Sequence, residues 1–247
     1  MKNLNVHIIA SSSKGNCVVI NDGTSSLLLD AGLRYNKIRR STDMGEVEAA
    51  LITHHHLDHC LAVPELVRRG VPVYMSWGEW REMRMDAPVR GMYFVRSEIR
   101  FETENWIVVP FQVDHDTPES VGYLIESKAT GAKIVYSVDM PAINYDFTGV
   151  THWLLEANYA GDILDYSGYK ETLKDRVRRS HMSIENLIAF LKSSDLSKTK
   201  EIWLLHLSDQ NSNETQFIKQ LQEATGVPVY TDTDFLPQSK PSISEQE

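Results

Sequence analysis

One nine-residue stretch constrains this chain more than any other: Leu51-Ile52-Thr53-His54-His55-His56-Leu57-Asp58-His59, where an apolar run ends in four imidazoles and a carboxylate. In extended backbone alternate side chains share a face, so His54 and His56 point the same way and can close on one ion. Asp58 and His59 sit where the chain turns toward a helix expected over residues 61–69, and they can address a second ion nearby. Neutral imidazole and carboxylate are suitable ligands for Zn²⁺, Mn²⁺ or Fe. An artificial histidine tag would neither end an apolar strand nor carry the interposed Asp58. His55 alternates to the opposite face and is read as structural.

Around this stretch, short β-rich runs dominate the first half, at residues 6–10, 17–20, 26–30, 50–53, 71–75 and 106–113. Further runs follow at 121–126, 132–138, 153–156, 201–206 and 227–230, and helical patterns are expected over 61–69, 77–85, 170–179, 183–191 and 213–224. Antiparallel pairs early and helices late point to an α+β fold in which two sheets are covered by helices, a four-layer αββα sandwich. No low-complexity linker interrupts the chain before Pro237, so residues 1–236 read as one domain and residues 237–247, rich in Ser and Glu, as a loose tail. Two buried strands each end in an acid, at Leu28-Leu29-Asp30 and Ser137-Val138-Asp139.

Charge narrows the partners. The 247 residues carry 25 Lys+Arg against 34 Asp+Glu, a formal charge of −9, so there is no global basic field to draw in nucleic acid or an anionic membrane, and any polyanion must be caught locally. The densest basic stretch is Lys170, Lys174, Arg176, Arg178 and Arg179, read either as a solvated helix face or as a phosphate-facing wall. Two cysteines, Cys17 and Cys60, are too few for a disulfide framework and fit a reducing cytoplasm. The N-terminal residues lack the apolar core of a signal peptide, and no apolar run reaches the roughly 18 residues of a membrane span.

With these residues in view, the chain resembles the metallo-β-lactamase superfamily over nearly all of its length. The resemblance implies one metal on His54, His56 and His115, a second on Asp58, His59 and His206, and Asp139 bridging two divalent ions, Zn²⁺ or Mn²⁺. Asp30 would orient ligands from behind. An Asp at the bridging position resembles the phosphodiesterase and nuclease branches, in which paired ions activate water and clamp phosphoryl oxygens. The stretches Ser11-Ser12-Ser13-Lys14-Gly15-Asn16-Cys17, Leu155-Glu156-Ala157-Asn158, His181-Met182-Ser183 and His206-Leu207-Ser208-Asp209-Gln210-Asn211 are similar to the YycJ/WalJ group, itself similar to RNase Z.

By that likeness Glu156 pairs with His181, which neutralises phosphate charge and offers a proton to the leaving oxygen. Asp58 joins them as a catalytic candidate, and Arg178, Arg179 and Ser208 are the substrate-binding candidates. A homodimer is expected by family analogy. The chain departs from the family pattern at Asn158-Tyr159-Ala160, where Asn-His-Asp is usual, at Ser180, where a Gly is usual, and at Met140-Pro141 after Asp139.

The expected function is therefore a dinuclear metal-dependent phosphodiesterase, first a DNA or RNA exonuclease. The alternative is a cyclic nucleotide phosphodiesterase similar to the phage anti-Pycsar enzymes. A non-catalytic, metal-stabilised binding module is the third possibility, opposed by Glu156 and His181, which have no metal-holding task. Trp77, Trp80, Tyr93 and Tyr159 are aromatic candidates for stacking on bases, with core packing as the competing role.

Overall fold

In the computed structural model, which describes residues 4–84 and 90–231, the apolar runs are buried on both faces, and strand alternation sorts them into separate cores. Val18 and Ile20 face one core while Cys17 and Val19 face another; Leu27 and Leu29 part from Leu28 in the same way. Period-two geometry on a doubly covered sheet requires continuous apolar runs of this kind.

Thirteen strands and eight helices are described. The first half comprises β1 (Asn5–Ser12), β2 (Gly15–Asn21), β3 (Ser26–Leu29), α1 (Tyr35–Ser41), β4 (Val47–Leu51), α2 (Leu57–Cys60), α3 (Val63–Arg68), β5 (Val73–Ser76), α4 (Trp77–Glu82) and β6 (Met92–Val95). The second comprises β7 (Phe101–Glu102), β8 (Trp106–Gln112), β9 (Val121–Ser127), β10 (Lys133–Ser137), β11 (His152–Glu156), α5 (Gly161–Tyr166), α6 (Glu171–Ser180), α7 (Ile184–Ser193), β12 (Glu201–Leu205), α8 (Glu214–Thr225) and β13 (Val229–Tyr230).

The strands form a six-stranded sheet in the order β1-β2-β3-β4-β5-β6 and a seven-stranded sheet in the order β13-β12-β11-β10-β9-β8-β7. Each sheet is antiparallel at one side and parallel at the other, the change falling at β3 and at β10. Between the sheets lie Val18, Ile20, Leu27 and Leu29 against Trp106, Tyr123, Ile134, Tyr136, Leu154 and Leu205. The outer face of the first sheet packs on Ile38, Leu66 and Trp80, and that of the second on Leu187, Leu191, Phe217 and Leu221. This is the expected αββα sandwich.

The helix expected over 61–69 is α3, beginning at Val63, and a separate one-turn helix, α2, precedes it where only a turn was expected. The backbone N–H of Ala62 donates to Ala31 O at 2.9 Å instead of continuing the first turn, and Pro64, which has no N–H to lose, sits in the opening turn of α3. Asp58 and His59 consequently lie within α2. Gly32 packs against this one-turn helix so closely that a Cβ would lie 1.5 Å from Asp58 O, so a larger residue there would displace the ligand turn. The strands β6 and β7 and the helices α1, α2 and α5 have no counterpart in the sequence reading. The expected domain boundary at 236/237, the tail, and Met85 at the end of the expected 77–85 helix lie outside the described residues.

Candidate metal centre

Three strands end on residues of the expected site, and each of these residues turns the chain through a positive φ: Asp30 after β3 (57°), Asp139 beyond β10 (53°) and His206 after β12 (53°). Asp and His tolerate this left-handed region better than β-branched or bulky residues do. The turn redirects each side chain at the end of the sandwich, where the loops after β4 and β8 arrive as well.

His54, His56 and His115 converge. His54 Nε2 lies 3.1 Å from His56 Nδ1, and His115 Nε2 lies 3.3 Å from the same Nδ1. For nitrogens about 2.1 Å from a tetrahedral ion the separation is about 3.4 Å, so the spacing matches that of ligands around one cation. Thr53 Oγ1, 3.0 Å from His54 Nδ1, fixes that ring from behind. Burial pulls the pKa of His54 well below the ordinary histidine value, with His59 adding to the shift, and burial lowers His115 as well. Both are therefore held in the neutral form that binds metal.

The neighbouring half is lined by acids. His59 is fully buried, with Nδ1 2.8 Å from Asp30 Oδ2 and Nε2 2.7 Å from Asp139 Oδ2 and 3.5 Å from Asp58 Oδ2. Asp30 is a hub: it also accepts from Thr53 N at 2.8 Å, Tyr136 Oη at 2.7 Å and Thr53 Oγ1 at 3.0 Å. Burial opposes charge on His59, but the carboxylates of Asp30 and Asp139 outweigh it and raise its pKa well above the ordinary value. Asp139 moves oppositely: burial raises it, His206 and His59 together overcome that, and the carboxyl is held well below the usual range. His206 Nδ1 lies 2.9 Å from Glu156 Oε1, whereas its buried Nε2 has no hydrogen-bond partner. That orphaned nitrogen, together with the Asp58 and His59 atoms grouped with His206, fits a second divalent ion.

Glu156, fully buried at the end of β11, reaches a further imidazole. Its Oε1 lies 2.7 Å from His181 Nδ1, and its Oε2 accepts from the backbone N–H groups of Met182 at 3.1 Å and Met140 at 3.2 Å. Burial works against a charged His181, but the Glu156 carboxylate prevails and the pKa rises to about 10.

The stretches flanking the ligands turn out to buttress them. Asn16 Nδ2 lies 3.0 Å from His59 Nε2, Asn158 Nδ2 donates to His206 O at 2.8 Å, and Ser11 Oγ accepts from His206 N at 2.8 Å. His55 turns away from the cluster, as its alternation implies, and its Nδ1 meets the buried carboxylate of Glu79 at 2.5 Å. Glu79 was not singled out in the sequence reading.

All of this opens on a cavity of about 450 Å³ lined by His56, Asp58, His115, Asp139, His181 and His206, with Ser208 also on its wall. From α6 the lining residues are Leu173, Arg176 and Val177. Arg178 is engaged elsewhere, its guanidinium bonded to Asp165, Glu171 and Asp175, and Arg179 is not among the lining residues. The cation on this wall is thus Arg176, whose Nη2 lies 3.6 Å from Asp116 Oδ2. The aromatic candidates Trp77, Trp80, Tyr93 and Tyr159 all lie off the described lining; the tyrosine on it is Tyr169, which is not among them.

An αββα sandwich with a His/Asp cluster suited to divalent metals at the ends of its strands defines a metal-binding hydrolase fold. Residues 13–149 match the family described as the metallo-beta-lactamase superfamily, and the chain belongs to it. Among characterised proteins it is 28% identical over 244 residues to "Exodeoxyribonuclease WalJ" of Streptococcus pneumoniae serotype 2 (strain D39 / NCTC 7466), covering 89% of this chain and 86% of that one. It is 27% identical over 225 residues to "Exodeoxyribonuclease YycJ" of Bacillus anthracis, covering 85% and 84%. Among solved structures, the metallo-beta-lactamase fold protein YhfI from Bacillus subtilis superposes with a TM-score of 0.70 at 14% identity, over 93% of this chain and 96% of that one.

Proposed function

We propose that this chain is a dinuclear metal-dependent phosphodiesterase acting as a nuclease, with DNA as its first substrate class and removal of nucleotides from an end as its mode. The observation that carries this reading is the convergence at one cavity of a cluster of seven His and Asp donors, five of them on its lining, with His181, whose Nδ1 meets Glu156 Oε1 at 2.7 Å and Asp139 Oδ1 at 3.2 Å. The names of the two bacterial relatives, matched over most of both chains, favour DNA ends as the substrate.

His54, His56 and His115 would hold one ion; Asp58, His59 and His206 would hold the other, with Asp139 between them. Zn²⁺ and Mn²⁺ both suit these donors. When bound, such a pair lowers the pKa of water and neutralises charge on phosphoryl oxygens. The chain's own groups supply the rest. Asp30 fixes the His59 ring, and Asp58, partly exposed in the cavity, orients the attacking water. His181, with Nδ1 committed to Glu156, has Nε2 left to meet the phosphate and pass a proton to the departing oxygen. Arg176 and Ser208 contact the flanking backbone.

A cyclic nucleotide is the second reading, favoured by the charge of −9 and by a cavity of about 450 Å³, within the size range of small-molecule sites. A homodimer and a reducing compartment complete the proposal; the two buried free thiols, Cys17 and Cys60, support the latter. Among the described residues no helix is long and apolar enough to cross a membrane.

The test is hydrolysis of single-stranded DNA, duplex DNA, RNA and 3′,5′-cyclic nucleotides by metal-loaded protein. DNA should be cleaved from an end, and His56→Ala should abolish turnover. Undiminished activity in that variant would refute the mechanism.

A further inference from the structure

Glu79 is buried, charged by type and unused by the chemistry above. It lies in the first turn of α4, on a different element from every expected ligand, and is 0% exposed. Its Oε2 accepts from His55 N at 2.9 Å and meets His55 Nδ1 at 2.5 Å; its Oε1 accepts from Glu119 N at 2.7 Å. The clasp is reciprocal, because Glu119 Oε2 accepts from Gly78 N at 2.6 Å, next to Glu79. A Cβ at position 78 would lie 2.9 Å from the Glu119 carboxylate, so the glycine permits this approach.

The two segments that Glu79 ties together are those that carry one complete ligand triad. His55 is the residue between His54 and His56, and Glu119 closes the loop that leaves β8 through His115. The two peptide groups flanking the His55 Cα are both held, since Cys60 Sγ donates to His55 O at 2.9 Å while Glu79 accepts from its N–H. Backbone fixed on both sides of His55 sets the direction of both flanking imidazoles. Groups behind metal ligands commonly control affinity by about 10–100-fold.

We infer that Glu79 is the positioning residue of the His54/His56/His115 half of the centre, joining its two loops so that the three imidazoles are arranged before an ion arrives. This inference rests on the reading of those three residues as ligands of one ion. The Asp58/His59/His206 half is positioned by other groups, Asp30 and Glu156, whose hydrogen bonds do not include Glu79.

The experiment is chelator competition with Zn²⁺ and with Mn²⁺ on the full chain, its two binding steps assigned with His115→Ala and His206→Ala, alongside thermal unfolding of the metal-free protein. Glu79→Gln keeps the size but faces one loop N–H with an amide N–H. It should weaken the step assigned to His115 by about tenfold or more and change the other by less than about threefold. Glu79→Asp, which keeps the charge but withdraws it by one methylene, should show the same selectivity and serves where the Gln variant does not fold. His55→Gln, which spares the peptide N–H contact, should change either step by less than about threefold. Lowered unfolding temperature with both binding steps intact, or equal weakening of both, would overturn the inference. A wild-type chain that binds neither ion would instead overturn the proposed function.

Discussion

Glu156 Oε1 lies 2.7 Å from His181 Nδ1, and the same oxygen lies 2.9 Å from His206 Nδ1. One buried carboxylate thus links a group proposed to act on substrate with a group proposed to hold metal, and the two imidazoles separate in their consequences. His181→Ala should reduce single-turnover cleavage on the order of 10²–10⁴-fold while leaving two ions per chain, as read by elemental analysis. Glu156→Gln should lower both cleavage and metal content, because His206 loses its partner as well. Metal loss in His181→Ala would place that residue among the ligands.

The wall of the cavity yields a salt test. If a DNA backbone lies along α6, Arg176→Ala should reduce the slope of log binding against log salt by about 0.7, the increment for one phosphate contact on a single strand. Arg178→Ala should leave the slope unchanged, because its guanidinium is already bonded to Asp165, Glu171 and Asp175. Fluorescence anisotropy with a labelled oligonucleotide, in a metal-loaded variant lacking the His181 imidazole, measures both. Equal effects of the two substitutions would show that the cations act as a diffuse patch.

This distinction between arginines was partly legible in the sequence. Leu173, Arg176 and Val177 stand at i, i+3 and i+4, one face of a helix, and that is the face on the cavity. Density of positive charge directed attention to Arg178 and Arg179 instead; density does not say which way a helix turns. The long buried strands were readable because double-sided burial leaves uninterrupted apolar runs. The strands β6 and β7 are short and lie at sheet edges, and α1 and α5 each bury a single hydrophobic residue, Ile38 and Leu164, so neither presents a stripe. The family pattern supplied the order of His115, Asp139 and His206, whereas the positive φ at Asp30, Asp139 and His206 emerges only in three dimensions. Glu79 gave no sequence signal, since its partners, the N–H and ring of His55 and the N–H of Glu119, lie 24 and 40 residues away along the chain.

Far from the centre, at the other end of β11 from Glu156, His152 offers a stability test. Burial, helped by Lys200, lowers its pKa to about 4. The Glu201 carboxylate is 3.8 Å from Nε2, too distant for a hydrogen bond, and does not reverse the shift. The unfolded chain binds this proton first, so stability is fully present above about pH 6.5 and falls as pH drops toward 4. Relative to His152→Leu, the wild-type protein should lose about 3 kcal/mol across that interval in denaturant titrations. A difference between the two proteins that is independent of pH would show that His152 is not held neutral.

In the proposed mechanism the side chains from His54 to His206 gather two cations. Anomalous diffraction at the manganese edge, from crystals grown with Mn²⁺, tests it most directly. Two peaks about 3.5–4 Å apart are expected, one among His54, His56 and His115, the other among Asp58, His59 and His206, with Asp139 between them. No peak, or one lying away from these residues, would contradict it.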